Sequence, residues 1–261
     1  MSHEGLYATP RVVEDVNDCY FYHTMDLPGT GTVVGPWDLR SGVREYLGGV
    51  ELRGQQVLDV GTASGFLAFW MERAGADVVA YDLSEEQDWD VVPFAGFDVE
   101  AERAARRTHI RQLNNSFWFA REALASKVKL AHGSVYAFPK GFGPFDVAVF
   151  GSILLHLQDP FRALQGALSL TKEFVIVTDV LPRRVLLVPF LARWFGPCLH
   201  FLPDAAAQGP KDSWFLLTPR AVIQMVGVLG FTDCRLSFHT QLYDGKPCRL
   251  FTVVGRRTVS L

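Results

Sequence analysis

The chain predicts an α/β fold: a doubly wound, seven-stranded, mostly parallel sheet with helices on both faces and a lid over the strands' carboxyl ends. Three observations carry this expectation. Short apolar runs of strand length alternate with amphipathic stretches of helix length. The first run, Val57-Leu58-Asp59-Val60, opens into Gly61-Thr62-Ala63-Ser64-Gly65, which reads as a tight turn before a helix. The second run, Val78-Val79-Ala80-Tyr81, ends in Asp82. A strand, a glycine turn, a helix and a second strand ending in an acid make a Rossmann-like unit for a nucleoside-bearing ligand.

Each element follows in order. Residues 57–60, 78–81, 128–131, 146–150 and 174–179 are apolar and short enough to be buried parallel strands. The helix after the glycine turn directs Phe66, Leu67, Phe69, Trp70 and Ala74 inward and stops at Gly75. Ile110, Leu113, Phe117, Ala120 and Leu124 step by three and four, the pattern of an amphipathic helix. Asp159-Pro160 supplies an N-cap and a first-turn proline ahead of Phe161, Leu164 and Leu168. Thr218-Pro219 repeats that signal ahead of Val222, Ile223, Val226 and Leu229, with Gly230 as the stop. Runs at 234–238 and 249–254 flank the turn dipeptide Asp244-Gly245, so the last two strands are expected to be antiparallel. Residues 1–50 read as an N-terminal lid segment and 51–261 as the main domain. Residues 181–217 interrupt the path from the fifth strand to the last helix. Segments that follow a strand's carboxyl end overlie the ligand crevice, so these two segments are the expected substrate side.

Composition narrows the class. Apolar residues make up 49% and charged residues 20%, as in a globular chain. A formal net charge of -3 argues against a basic grip on DNA or RNA. Cys19, Cys198, Cys234 and Cys248 show no metal or redox spacing, so no metal is expected. Residues 1–10 lack an apolar signal core, and no apolar run reaches the roughly 20 residues that span a bilayer. The expected location is cytoplasmic.

The turn selects among nucleoside ligands. A dinucleotide site wants Gly-x-Gly-x-x-Gly, but here Ala63 stands between Gly61 and Gly65. Asp59 precedes the turn, where a carboxylate repels a pyrophosphate and suits a cationic ligand such as S-adenosylmethionine (SAM). Asp82 at the tip of the neighbouring strand is placed to accept from ribose hydroxyls. Asp59-x-Gly61-x-x-x-Gly65 followed by Asp82 resembles the class I SAM-dependent methyltransferases, with Ala63 where that family most often has a third glycine.

Tyr22-His23-x-x-Asp26-Leu27, then Gly35-x-x-Asp38-x-Arg40, with Phe117-Trp118-Phe119-Ala120-Arg121 and Leu154-Leu155-His156, is similar to the tRNA wobble-uridine carboxymethyl transferase-like branch. That likeness covers roughly residues 20–180. It implies the fold and SAM. The tRNA substrate is not carried over, because the chain is acidic and lacks a basic cluster for a carboxylated SAM. The implied cofactor residues are Asp59, Gly61, Thr62, Ala63, Ser64, Gly65, Asp82 and Leu83, with Ser134 and Val135 at the adenine and Gly151 and Ser152 near the sulfur. Asp59 would favour the ammonium, and Arg40 would pair with the carboxylate of the methionine end.

The catalytic candidates are His156, His23 and Tyr22. His156 follows the fourth strand, beside the expected methyl group. It reads either as a general base or as a cap and packing histidine. His23 and Tyr22 read as substrate-side groups or as lid packing. Val185–Phe195 is apolar enough to line a lipid-like or aromatic acceptor pocket, to pack as core, or to form a homodimer contact. Arg183, Arg184 and Arg193 could meet an acid group on such an acceptor or stay solvated. The expected function is SAM-dependent O-methylation of a small molecule, leaning to an apolar acid or another lipid-like or aromatic acceptor. A tRNA-modifying transferase and a non-catalytic scaffold are the alternatives.

Overall fold

The computed structural model describes residues 5–182 and 196–260. The first half contains β1 (Met25–Leu27), β2 (Gly31–Val33), β3 (Trp37–Asp38), α1 (Val43–Tyr46), β4 (Gln56–Val60), α2 (Phe66–Arg73), β5 (Asp77–Asp82), α3 (Val99–Ala123) and β6 (Lys129–His132). Then come β7 (Phe145–Gly151), a 3-10 turn (Leu154–His156), α4 (Pro160–Ser169), β8 (Thr171–Val180), β9 (Leu199–Phe201), β10 (Phe215–Leu217), α5 (Pro219–Val228), β11 (Asp233–Tyr243) and β12 (Lys246–Arg256).

The main sheet runs β3-β11-β12-β8-β7-β4-β5-β6. Strands β6, β5, β4, β7 and β8 are parallel neighbours. The hairpin β11–β12 joins antiparallel to β8, turning at Asp244 and Gly245, both at positive φ. The sheet has eight strands, one more than the sequence pattern suggests. The extra strand, β3, pairs with Leu242 and Tyr243 at the edge. Two residues leave no periodic signal, and β11 is long enough to offer them a partner beyond the core. Part of the expected lid segment is therefore sheet. Residues 25–33 form a separate hairpin of β1 and β2, and β9 pairs with β10 in another two-stranded sheet.

Strand alternation builds a core on each face. Val57, Val147 and Ile176 pack with α2 and the carboxyl half of α3, whereas Leu58, Val60, Phe150 and Val177 pack with α4 and α5. Burying each such side chain contributes about 1.5–3 kcal/mol. The inward face of α2 agrees with the sequence pattern in part. Leu67, Ala68, Phe69 and Met71 are buried, while Phe66, Trp70 and Ala74 are half-buried. Phe66 and Trp70 still pack against the core, and the chain enters α2 from a left-handed Gly65.

Both proline-led helices start as expected. Asp159 accepts from Arg162 N–H and Thr218 from Ala221 N–H, satisfying orphan first-turn donors. Helix α3 buries Ile110 to Ala120 but carries ion pairs along its first turns, including Arg103 with Glu100 and Arg106 with Glu102. Among the described residues no helix is long and apolar enough to cross a membrane.

Candidate active site

Strand order reverses between β4 and β7, and the crevice outside their carboxyl ends is where such sheets bind ligands. At the β4 tip the backbone is left-handed at Gly61 (φ 77°), Ala63 (φ 50°) and Gly65 (φ 86°). A Cβ on Gly61 would strike Ile153, and one on Gly65 would strike Phe69 and Phe117. Ala63 accepts the strain, on the order of 1–2 kcal/mol, because its N–H is tied to Asp82 Oδ2 at 2.7 Å. An alanine in place of a third glycine therefore keeps the turn.

Two acids floor this cradle. Asp59 is 1% exposed and accepts from Thr62 Oγ1 at 2.7 Å. Burial pushes its carboxyl up to about 7 against the Thr62 bond, and the charge of Asp82 adds to the rise. Asp82 accepts from Ala63 N–H and, through Oδ1, from Leu83 N–H at 2.7 Å. Burial also raises the Asp82 carboxyl, opposed by these two bonds. Each Asp82 oxygen keeps a second lone pair for a ribose hydroxyl. Beyond β6, Gly133 lies so close to the Tyr81 hydroxyl that no Cβ fits. Tyr81 donates to the Ser134 carbonyl at 3.2 Å, and Ser134 Oγ accepts from Tyr136 N–H at 3.3 Å. Val135 is buried beside them. The donor set suits a cationic nucleoside: acids at the two strand tips, and no basic side chain in the turn to meet a pyrophosphate.

Of the N-terminal candidates, His23 packs against the glycine turn with Tyr22 beside it, whereas Arg40 is engaged in ion pairs. His23 donates its backbone N–H to Ser64 Oγ at 3.3 Å, stacks on Phe66 with centroids 5.7 Å apart, and is 6% exposed. Burial drives its imidazole down to about 3. It bolts the N-terminal segment to the glycine turn. Tyr22 sits edge-on to His23, and burial pushes its phenol up to about 12. Arg40 is paired twice, with Asp38 at 2.7 Å and Asp26 at 2.8 Å. It lines a shallow depression with Phe66, Trp70 and Arg73 on the outer side of α2. The structure therefore does not bring Arg40 to the cradle. Arg183, Arg184, Arg193 and the apolar run Val185–Phe195 lie outside the described residues.

The other wall begins at the β7 tip. A Cβ on Gly151 would strike Leu67 and come within 3.5 Å of the Tyr46 hydroxyl. Ser152 is left-handed (φ 60°) and donates to Asp179 Oδ1 at 3.4 Å. Asp179 is fully buried, its Oδ2 has no hydrogen-bond partner among the described residues, and burial pushes the carboxyl up to about 7. Four residues after Ser152, His156 holds its Nδ1 2.6 Å from the Asp212 carbonyl oxygen. Among the described residues Nε2 has no hydrogen-bond partner. Burial lowers the His156 imidazole, and Arg106 lowers it further against the Asp212 carbonyl and charge.

Asp212 belongs to the segment 196–217, which Trp214 ties to the turn by donating its N–H to the Leu155 carbonyl at 2.7 Å. Arg106 of α3 reaches the Asp212 carboxylate at 3.1 Å. Sequence reasoning missed Tyr46, Trp89, Asp90, Arg106, Asp179 and Asp212. Only Asp179 had a local signal: like Asp59 and Asp82, it is an acid near the end of an apolar run.

Comparison with known proteins bears on the family and the fold. A family model described as a methyltransferase domain matches residues 38–216. Comparison with curated proteins finds no match. Among solved structures, the magnesium protoporphyrin IX methyltransferase of Synechocystis PCC 6803 is similar, with bound S-adenosylhomocysteine (SAH): 15% identity, 84% of this chain, 82% of that chain and a TM-score of 0.51. Its SAM-bound form gives a TM-score of 0.50, with 15% identity over 84% of this chain and 78% of that chain. The 1,6-didemethyltoxoflavin-N1-methyltransferase of Burkholderia thailandensis gives 17% identity, 84% and 76% coverage, and a TM-score of 0.47. With the family model covering well over half of its length, the chain belongs to the methyltransferase-domain family, as a SAM-dependent methyltransferase.

Proposed function

We propose that the chain transfers a methyl group to a hydroxyl of a small molecule, with His156 as general base. One observation carries this reading. His156 Nδ1 donates to the Asp212 carbonyl at 2.6 Å, which fixes the tautomer and leaves the Nε2 lone pair without a partner among the described residues. Burial holds the ring neutral below its ordinary range, so it is ready to accept a proton at neutral pH.

Bound SAM supplies an electrophilic methyl group on a sulfonium. Asp59 would hold its ammonium, Asp82 its ribose, and the loop Gly133 to Val135 its adenine. His156 Nε2 takes the acceptor's hydroxyl proton, which readies that oxygen for the methyl group that bound SAM would supply. The Asp212 carbonyl then stabilises the imidazolium. Residues 20–40 and 196–217 supply the frame and the cover, so orientation and exclusion of water add to the base.

A carboxylate acceptor needs no base, so the lean to an apolar acid gives way to a hydroxyl. The test uses methyl-labelled SAM with phenols, aliphatic alcohols, amines and carboxylic acids. Hydroxyl acceptors should be methylated and His156→Ala should abolish the transfer. Turnover of hydroxyl acceptors persisting in His156→Ala would sink the base assignment.

A further inference from the structure

We propose that the acceptor is a planar aromatic alcohol, received in a slot walled by Trp89 together with His156, His109 and Tyr20. This deepens the hydroxyl reading and rests on it for the position of the reacting oxygen.

The slot is made by four separate elements. Trp89 lies in the connection between β5 and α3. Its ring is 6.2 Å from His156 of the 3-10 turn, nearly edge-on at 79°, and 6.2 Å from His109 of α3. His109 in turn meets Tyr20 of the N-terminal segment at 4.6 Å. The rings form one run that begins at the unpartnered Nε2. They are also unlike the aromatics of the core. Phe117, Phe150 and Phe231 are fully buried, whereas Trp89, His109 and His156 are half-buried and Tyr20 is exposed. Half-buried rings gathered beside a base leave partly open edges for a ligand, with Arg106 over one face of Trp89.

The mouth also holds Trp89 rigidly. Its neighbour Asp90 is fastened to three elements. The Asp90 carbonyl accepts from Trp214 Nε1 at 2.9 Å, and its carboxylate accepts from Gln158 N–H at 2.8 Å and from the Tyr136 hydroxyl. A fourth bond, from Val92 N–H to the Lys211 carbonyl at 2.9 Å, closes the strap. Arg106 lies 5.5 Å over Trp89, and its charge is balanced by Glu102 at 3.0 Å and Asp212 at 3.1 Å. The surroundings are thus aromatic and charge-balanced. A flat ring gains ring–ring contacts here beyond its buried area, whereas an alkyl chain gains area alone. A fixed ring loses little entropy on binding a ligand.

The test is calorimetry on SAH-loaded protein with 2-naphthol, cyclohexanol and decanol as probes. 2-Naphthol should bind most tightly. Trp89→Leu should weaken 2-naphthol about tenfold, Trp89→Phe should restore most of it, and SAH affinity should stay unchanged in both. Decanol binding as tightly as 2-naphthol, or no binding of 2-naphthol, would overturn the slot. So would unchanged 2-naphthol affinity in Trp89→Leu. If Trp89→Leu no longer binds SAH, Trp89→Phe against wild type decides: loss of 2-naphthol in the phenylalanine variant counts against the slot. Failure of the base assignment is distinguishable, because it appears as turnover persisting in His156→Ala while ring binding still depends on Trp89.

Discussion

The cradle and the mouth of this site are built on different principles. The cradle is local: Asp59, Gly61, Ala63, Gly65 and Asp82 lie on two adjacent strands and one turn, and their bonds are mostly to backbone. The mouth is assembled from distant segments. His156 depends on Asp212, Asp212 meets Arg106, and Asp90 joins Tyr136, Gln158 and Trp214. The difference teaches where function can be altered. Damage to the cradle should act on the cofactor, and damage to the mouth should act on the acceptor and the proton.

The largest effect should come from the mouth. His156→Ala is expected to lower kcat on a hydroxyl acceptor by about 10²–10⁴ with SAM affinity kept. A parallel loss of SAM binding in calorimetry would mean that the two regions are not separable.

Next come the buried acids, one on each side of the comparison. Asp59 in the cradle and Asp179 beneath the mouth are both pushed up to about 7 by burial. Between the ordinary carboxylate value and about 7 the folded chain binds protons that the unfolded chain has released. Stability from these groups is therefore full below about pH 4 and lost as pH rises through about 7, on the order of 4 kcal/mol for each. Urea unfolding across pH 4–8 should show this fall, and Asp179→Asn should flatten it. SAM, being cationic, favours ionised Asp59, so its affinity should increase from pH 6 to pH 8. A pH-independent affinity would remove Asp59 from the ammonium site.

Asp82→Ala should weaken SAM by about 1–3 kcal/mol through loss of a charge-assisted ribose bond, measured by calorimetry. Part of that loss comes from the turn itself, since Ala63 would lose the carboxylate that holds it in a left-handed conformation.

The same contrast explains what the sequence made legible. Strands β4, β5, β7 and β8 announce themselves as apolar runs, and Gly61, Gly65 and Asp82 as breaks at fixed places in those runs. The caps Asp159 and Thr218 are equally local. Arg106–Asp212 joins residues more than a hundred positions apart, and no periodicity relates an α3 arginine to a loop aspartate. Trp89 carries no local sign that its ring will stand beside His156. His23 and Arg40 fell between these cases. Their motif matched a family pattern, but their roles depend on which face of α2 the N-terminal segment covers, and that is decided by packing of Phe66 and Trp70.

The smallest effect sharpens the boundary of the cradle. Arg40 was expected to clamp the cofactor's carboxylate. In the structure its guanidinium is forked onto Asp38 and also bonded to Asp26, with a side chain 38% exposed. Moving it to the cradle would break both pairs and draw a charged group past Phe66 and Trp70. Arg40→Ala should therefore change SAM affinity by no more than about twofold, as exposed substitutions away from a site do. Asp59→Ala in the same titration should weaken it clearly. A tenfold loss in Arg40→Ala, with the fold intact by circular dichroism, would extend the cradle onto the N-terminal segment. The methionine end of SAM would then be held from both sides of α2 rather than from the sheet alone.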